Sequence, residues 1–370
     1  MKFELAIIGG GMAGASLAAA LAGRMSVVVL EQEDQPGYHA TGRSAAFWNE
    51  SYGGPGVQPL TTASGPWLHQ PPADYGAHSF LRPRGALHIA HESALADRAA
   101  FLNDFAHSGI AFEQPDAAAC HQMVPRLKPE WAHAVLEPSC TDIDVAALHQ
   151  ACLAKARRDG ATILTRQRAT ALRPVAGGWE IETAQGTFHA ERIVNAAGAW
   201  AGDIAALAGA LPIAISPLRR TILQVQLDTP AAEQMPLVID LAGNFYFKPE
   251  ADGRLWLSPH DETPMPPSDV APDELDVALA IDRLERATDW RVIKVERRWA
   301  GLRSFAPDRL PVYGPDPKAK GFFWFAGQGG FGIQTAPAAA AIAAAMLLDE
   351  APLDFVAGVD HRPYLPDRFA

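Results

Sequence analysis

Three glycines and an acid are the first residues with chemistry to offer. Gly9, Gly11 and Gly14 follow the apolar run FELAIIG (residues 3–9) in a G-x-G-x-x-G spacing, and Glu31 ends the next apolar run, VVVLE (residues 27–31). Placed between a strand and a helix, such a triplet cradles a pyrophosphate. The first glycine lets the chain turn sharply, the second lets the backbone approach the phosphates, and the third lets helix and strand pack closely. The helix N-terminus adds free N–H groups and a positive dipole end. A carboxylate at position 31 can accept hydrogen bonds from a ribose diol. Ala13 and Gln32 flank these positions and join the expected cofactor contacts. A second glycine-rich turn, GQGGFGIQT (residues 327–335), again opens a helix. A helix N-terminus there could stabilise the negative charge of a reduced flavin near N1 and C2=O; a packing helix entered by a flexible loop fits the same pattern. The fingerprint alone suits NAD and FAD equally. Its single occurrence, with the downstream turn, favours FAD.

The elements that must position these residues are a strand over 3–9, an alanine-rich helix from about Met12 to Ala22, and a strand over 27–31. Lys2, the apolar run and the triplet Ala20-Leu21-Ala22 also outline an export signal. Glycines 9, 10, 11 and 14 break that run, Glu4 sits in its basic start, and cleavage near Ala22 would strand VVVLE without a partner. The nucleotide unit uses every residue, so it is the reading adopted, with a cytoplasmic location and peripheral association with the inner membrane left open. Arg24 ends the run before it reaches the length of a membrane span.

The chain has 370 residues, 48% of them hydrophobic and 20% charged, as in a soluble globular protein of one large or two ordinary domains. A net charge of −11 without a basic stripe argues against nucleic acid as a partner. Cys120, Cys140 and Cys152 cannot all pair and read as reduced thiols. His149 and Cys152 lie at i, i+3 with Cys140 near, but this loose spacing points to packing, and no metal is expected.

Along the chain two tasks alternate. The expected fold is mixed α/β, a Rossmann-like cofactor domain with an inserted, mostly antiparallel-sheet substrate domain. Segments 1–50, 142–211 and 299–350 belong to the first domain, 51–141 and 212–298 to the second, and 351–370 form a C-terminal tail. DIDVAALHQACLAKAR (residues 142–157) reads as an amphipathic helix capped by Asp142 or Asp144. TILQVQL, NFYFKP and RLWLSP read as strands.

IIGGGMAGAS, LEQEDQPGYHATGRSAA, DIDVAALHQ, IVNAAGAWAGDIA, FYFKP, WAGLRSFAPDRLPVYG and FFWFAGQGGFGIQT occur in this order from end to end. In these segments the sequence resembles the D-amino-acid oxidase superfamily of flavoenzymes, with its strongest likeness to bacterial D-arginine and related D-amino-acid dehydrogenases. The resemblance implies noncovalent FAD and oxidation of an amine carbon beside a carboxylate. Thr41, Gly42, Arg43, Ser44, Ala45 and Ala46 would wrap the pyrophosphate and flavin edge. Ala169 would contact the adenosine part through its backbone, and Gly329, Gly330, Phe331, Gly332, Ile333 and Gln334 would face the flavin pyrimidine.

Motif matching also implies a substrate clamp. Arg220 in SPLRRT and Arg303 in WAGLRSF would hold the carboxylate, since the planar guanidinium binds it bidentately. Tyr246 and Tyr52 would add hydroxyls, and Gly330 would offer its carbonyl to the amine. Plainer roles stay open at this stage: Arg303 pairing with Asp308, Arg219 rather than Arg220 turned inward, Arg43 in a surface ion pair, Tyr246 as core. Where the D-arginine enzymes carry a glutamate for the substrate guanidinium this chain has Ala86, and Phe47 replaces a histidine beside the flavin. A D-amino acid with a neutral or apolar side chain is therefore expected over D-arginine, with Arg82 leaving an acidic one open. The reaction would be hydride transfer from Cα of a neutral amine to flavin N5, then hydrolysis of the imino acid to a 2-oxo acid and ammonia. The electron acceptor, oxygen or a quinone or electron-transfer protein, is not encoded. The alternatives are a glycine- or sarcosine-type secondary-amine oxidase, for which no cysteine beyond Cys152 offers a covalent flavin link, and a non-catalytic flavin-binding subunit.

Overall fold

In the computed structural model, which describes residues 2–76 and 78–370, the opening residues fold as a β-α-β unit. The strand Lys2–Ile8 leads into the helix Met12–Leu21 and then the strand Val27–Leu30. Alternate residues of both strands enter two different cores: Leu5, Ile7, Val27 and Val29 face one, Ala6, Ile8, Val28 and Leu30 the other. Burial on both faces explains why these strands carry no polar alternation.

Five strands of the first sheet run parallel in the order Phe322–Ala326, Gly186–Asn195, Lys2–Ile8, Val27–Leu30 and Thr162–Leu164. The antiparallel strand Val312–Pro315 closes one edge, and a hairpin, Ala169–Val175 with Gly178–Thr183, attaches to Gly186–Asn195. One face is covered by the helices Met12–Leu21, Val145–Arg158 and Ala336–Leu348. Asp144, rather than Asp142, caps the second of these, accepting the Ala147 N–H at 2.9 Å. The architecture is Rossmann-like.

A second, nine-stranded and mostly antiparallel sheet contains Val292–Phe305 paired with Ser216–Leu227, then Arg254–Ser258, Tyr246–Glu250, Leu237–Asp240, Ala86–Ala90 and His133–Glu137. The helix Glu274–Ala287 packs on it, with Trp290 in its core. Val292–Phe305 runs unbroken through positions 298 and 299, where the sequence suggested a change of domain, because backbone pairing with Ser216–Leu227 continues to Phe305. No helix among the described residues is long and apolar enough to cross a membrane.

Candidate functional site

In an open parallel sheet, loops at the carboxyl ends of the strands diverge where the strand order reverses and leave a crevice. Here the reversal lies at Lys2–Ile8, which has Gly186–Asn195 on one side and Val27–Leu30 on the other. A cavity of about 730 Å³ opens there, lined by residues just beyond the strand ends: Gly9, Glu31, Gln167, Ala196 and Gly327. Its far end reaches Arg220 and Arg303 on the second sheet.

Gly9, Gly11, Ala13, Glu31, Gln32, Thr41, Arg43, Ser44, Ala45, Ala169, Gly329, Gly330, Gly332 and Ile333 all line this cavity. Gly14 does not. A Cβ there would lie 1.9 Å from the Gly9 carbonyl oxygen, so its task is to let the helix approach the strand end. The helix start carries no side-chain cap from Gly11, and its Met12 N–H donates to Thr41 Oγ1 at 2.9 Å. Thr41 thereby ties the loop 37–46 to the helix N-terminus. Gly42 N–H closes that loop on the Gly37 carbonyl at 2.8 Å, and the Ala46 carbonyl accepts the Ile143 N–H at 3.2 Å. Glu31 accepts the Gly10 N–H at 2.7 Å and the Glu33 N–H at 2.9 Å. Burial raises its carboxyl above the usual range despite these bonds.

Arg43 lines the cavity, and its guanidinium takes up the ion pair that the sequence left open. Nη2 pairs with Asp269 at 2.5 Å and Nη1 donates to the Ala300 carbonyl at 3.0 Å. The Trp299 indole donates to the Arg43 carbonyl at 3.0 Å. The side chain staples the loop to the second sheet. His149, weighed in sequence as a metal ligand, lies 2.9 Å through Nε2 from the Gly10 carbonyl and is buried beneath the glycine turn.

The two arginines meet through strand phase. Leu218 opposes Arg303 and Arg220 opposes Gly301 across the pair Ser216–Leu227 and Val292–Phe305. Positions 218 and 220 share a face, as do 301 and 303, so Arg220 and Arg303 project from the same side. Arg219 projects from the other, where Asp276 holds its Nη2 at 2.6 Å. Arg220 Nε donates to the Asp261 carbonyl at 2.9 Å and Nη2 to Glu262 at 3.2 Å. Its buried Nη1 has no partner among the described residues. Arg303 Nη1 donates to the Tyr52 hydroxyl at 2.6 Å. It makes no ion pair with Asp308, which instead binds Arg368 at 2.7 Å. Burial resists ionisation of the Tyr52 phenol, but the charges of Arg303 and Arg220 outweigh it and hold the phenol below its ordinary value. Gly330 abuts this group: a Cβ there would stand 2.7 Å from Arg303 Nη1.

Tyr246 is buried, edge-on to Phe47 and to His260. With Ala86, Cys140, Leu237 and Ile239, Tyr246 and Phe47 form a compact apolar cluster against which Tyr52 packs. The one acid set against Ala86 among the described residues is Glu137, its cross-strand partner, whose carboxylate is taken up by the Glu50 N–H and the Ser51 hydroxyl, and Arg82 is exposed on the edge strand Leu81–Pro83. Phe331 packs on Phe305 and Tyr52, and Gln334 turns its amide to the Tyr52 carbonyl and Thr61, so neither side chain lines the cavity. His260 went unnoticed in the sequence, because the turn SPHDET has no periodicity and matches no motif. Its Nδ1 lies 2.7 Å from the Gly243 carbonyl; burial and the charges of Arg220 and Arg303 bring its pKa down to about 2, so the ring is neutral.

A helix N-terminus over close-packed glycines, a buried carboxylate at the end of the next strand and a long cavity fit FAD. Comparison with known proteins agrees on the cofactor, while the relatives are glycine oxidases and dimethylglycine dehydrogenases rather than the D-arginine dehydrogenases that the sequence suggested. Glycine oxidase of Pseudomonas putida is 25% identical over 99% of this chain and 99% of its own. Mouse mitochondrial dimethylglycine dehydrogenase is 27% identical over 90% of this chain, which spans only 41% of that longer protein. The crystal structure of glycine oxidase from Geobacillus kaustophilus superposes with a TM-score of 0.84 at 22% identity, covering 98% of each chain. That of L-proline dehydrogenase from P. horikoshii gives 0.85 at 22% identity over 100% and 98%. The family described as FAD dependent oxidoreductase matches residues 4–346, and the chain belongs to it, with FAD as its cofactor.

Proposed function

We propose that the chain oxidises a D-amino acid with a neutral or apolar side chain, in which Arg303 and Arg220 hold the carboxylate. The observation that carries this reading is the pair of buried guanidinium groups on one face of two strands at the end of the FAD cavity, one bonded to the Tyr52 hydroxyl and the other with a free Nη1. A buried, unpartnered donor is a strong site for a carboxylate oxygen.

FAD would sit noncovalently along Gly9, Gly11, Glu31 and the loop 41–45, with Gly329–Ile333 toward its pyrimidine, and the bound flavin supplies the hydride acceptor. The chain's own residues bind and orient. The arginines fix the carboxylate, Tyr52 and Tyr246 flank it, and the Gly330 carbonyl faces the amine. The substrate loses two electrons and two protons, and water then converts the imine to a 2-oxo acid and ammonia. The cluster around Ala86, Phe47 and Tyr246 favours uncharged side chains.

A second reading, a glycine or N-methylated glycine oxidase, is supported by the closeness of that same cluster and by the likeness to glycine oxidase and dimethylglycine dehydrogenase. Anaerobic bleaching of the flavin by D-Leu, D-Phe, D-Arg, D-Glu, glycine and sarcosine decides between them. D-Leu or D-Phe fastest supports the first reading. Sarcosine or glycine fastest replaces it with the second, and D-Arg fastest overturns the pocket argument. Reoxidation in air against reoxidation by a quinone identifies the acceptor.

A further inference from the structure

Beneath the turn that carries Tyr52 lies a carboxylate that neither arginine touches. Glu137 ends the strand His133–Glu137 and is fully buried. One oxygen accepts the Glu50 N–H at 2.7 Å; the other accepts the Ser51 hydroxyl at 2.5 Å and lies 3.5 Å from His88 Nε2. His88 is itself buried, its ring against Phe101. A carboxylate withdrawn from water costs several kcal/mol unless donors replace that water. Two of the donors here are the residues immediately before Tyr52. From the opposite side, Gln334 Nε2 donates to the Tyr52 carbonyl at 3.0 Å and Gln334 Oε1 accepts the Asn49 N–H at 3.2 Å. The turn is thus held by its backbone and by Ser51, while the Tyr52 side chain is left to meet Arg303. An apolar residue at position 137 would cover the turn without directing it. Two directed hydrogen bonds set its rotation, and a shift of about 1 Å would take the phenol out of hydrogen-bond range.

We propose that Glu137 is a positioning residue for the carboxylate site: it orients the turn Asn49–Tyr52 so that the Tyr52 hydroxyl meets Arg303. This rests on the reading that Arg303 and Tyr52 receive a carboxylate.

The test is a double-mutant cycle on the holoenzyme, titrating acetate against the flavin spectrum and measuring KM and kcat with the best substrate. Glu137→Gln is expected to weaken acetate about tenfold and to raise KM by a similar factor, with kcat within about twofold. Tyr52→Phe should do the same, and the double variant should be no weaker than Tyr52→Phe alone. Effects that multiply, or an unchanged Kd in Glu137→Gln, overturn the proposal. If Glu137→Gln does not fold, Ser51→Ala decides, since it removes one donor and keeps the acid. A loss of about threefold that disappears in the Tyr52→Phe background supports the role, and unchanged acetate binding overturns it. A wild-type holoenzyme that binds no acetate overturns the carboxylate site itself, a different result from binding without coupling.

Discussion

The cofactor cradle offers backbone, and the substrate end of the same cavity offers side chains. At the cradle, the Gly9 and Gly14 contact, the Met12 N–H and the closed loop 37–46 depend on where main-chain atoms can go. At the other end, Arg303, Arg220 and Tyr52 come from three distant segments and meet through strand register and one turn. A backbone site fails when a side chain is added. A side-chain site fails when one is removed or mis-phased.

The sharpest break falls on the cradle. Gly14→Ala puts a methyl 1.9 Å from the Gly9 oxygen, and the helix must move off the strand end. We expect colourless protein that takes up no added FAD, read by absorbance. Yellow protein of ordinary Tm would show that the packing yields.

At the other end, Arg303→Ala should keep its FAD and lose substrate binding. A charge-assisted bidentate contact contributes roughly 2–4 kcal/mol, which predicts a fall of about 30- to 900-fold in kcat/KM. A loss within about threefold would remove Arg303 from the site. The neighbouring pair sharpens the contrast. Arg219→Leu leaves Asp276 without its 2.6 Å partner and should lower Tm while sparing KM. Arg220→Leu should raise KM about tenfold with a smaller change in Tm. The reverse pattern would invert the strand phase.

The cradle was legible in the sequence for a physical reason. Local backbone demands leave a local trace, so glycines at fixed spacing and an acid after the next strand are adjacent in the text as in space. The substrate end left less. Which of Arg219 and Arg220 turns inward depends on the phase of a strand pair that no local pattern encodes. The partner of Arg43 was not legible, because the carboxylate that pairs with it, Asp269, lies 226 residues away in sequence. His260 and Glu137 are placed by burial and turn geometry, which residue order does not display.

Smaller effects probe the cradle's polar groups. Thr41→Val removes the acceptor of the Met12 N–H and should weaken FAD about fivefold, measured by fluorescence as apoprotein is titrated. Glu31 gives a pH test. Its folded carboxyl titrates above 4.5, so the ionised ribose acceptor is lost as pH falls through that raised value toward 4.5. The sign for folding is opposite: a raised carboxyl makes the neutral form the favoured one in the fold, so this group adds stability over the same window. Acid should therefore release FAD before it unfolds the chain, and Glu31→Gln should flatten the dependence. Release that tracks unfolding in both proteins would dismiss the role.

The strand Val292–Phe305 has a consequence for how the reaction is gauged. Within seven residues it receives the cofactor loop at Trp299 and Ala300, presents Arg303, and pairs at Ser304 and Phe305 with the glycine turn at Gly329 and Gln328. If Arg303 anchors the acid as proposed, one ribbon of fixed rise per residue would measure the separation between the glycine turn and that anchor. Substrate reach would then be set by a ruler rather than by a hinge, and any slip of that ruler would disturb both ends together.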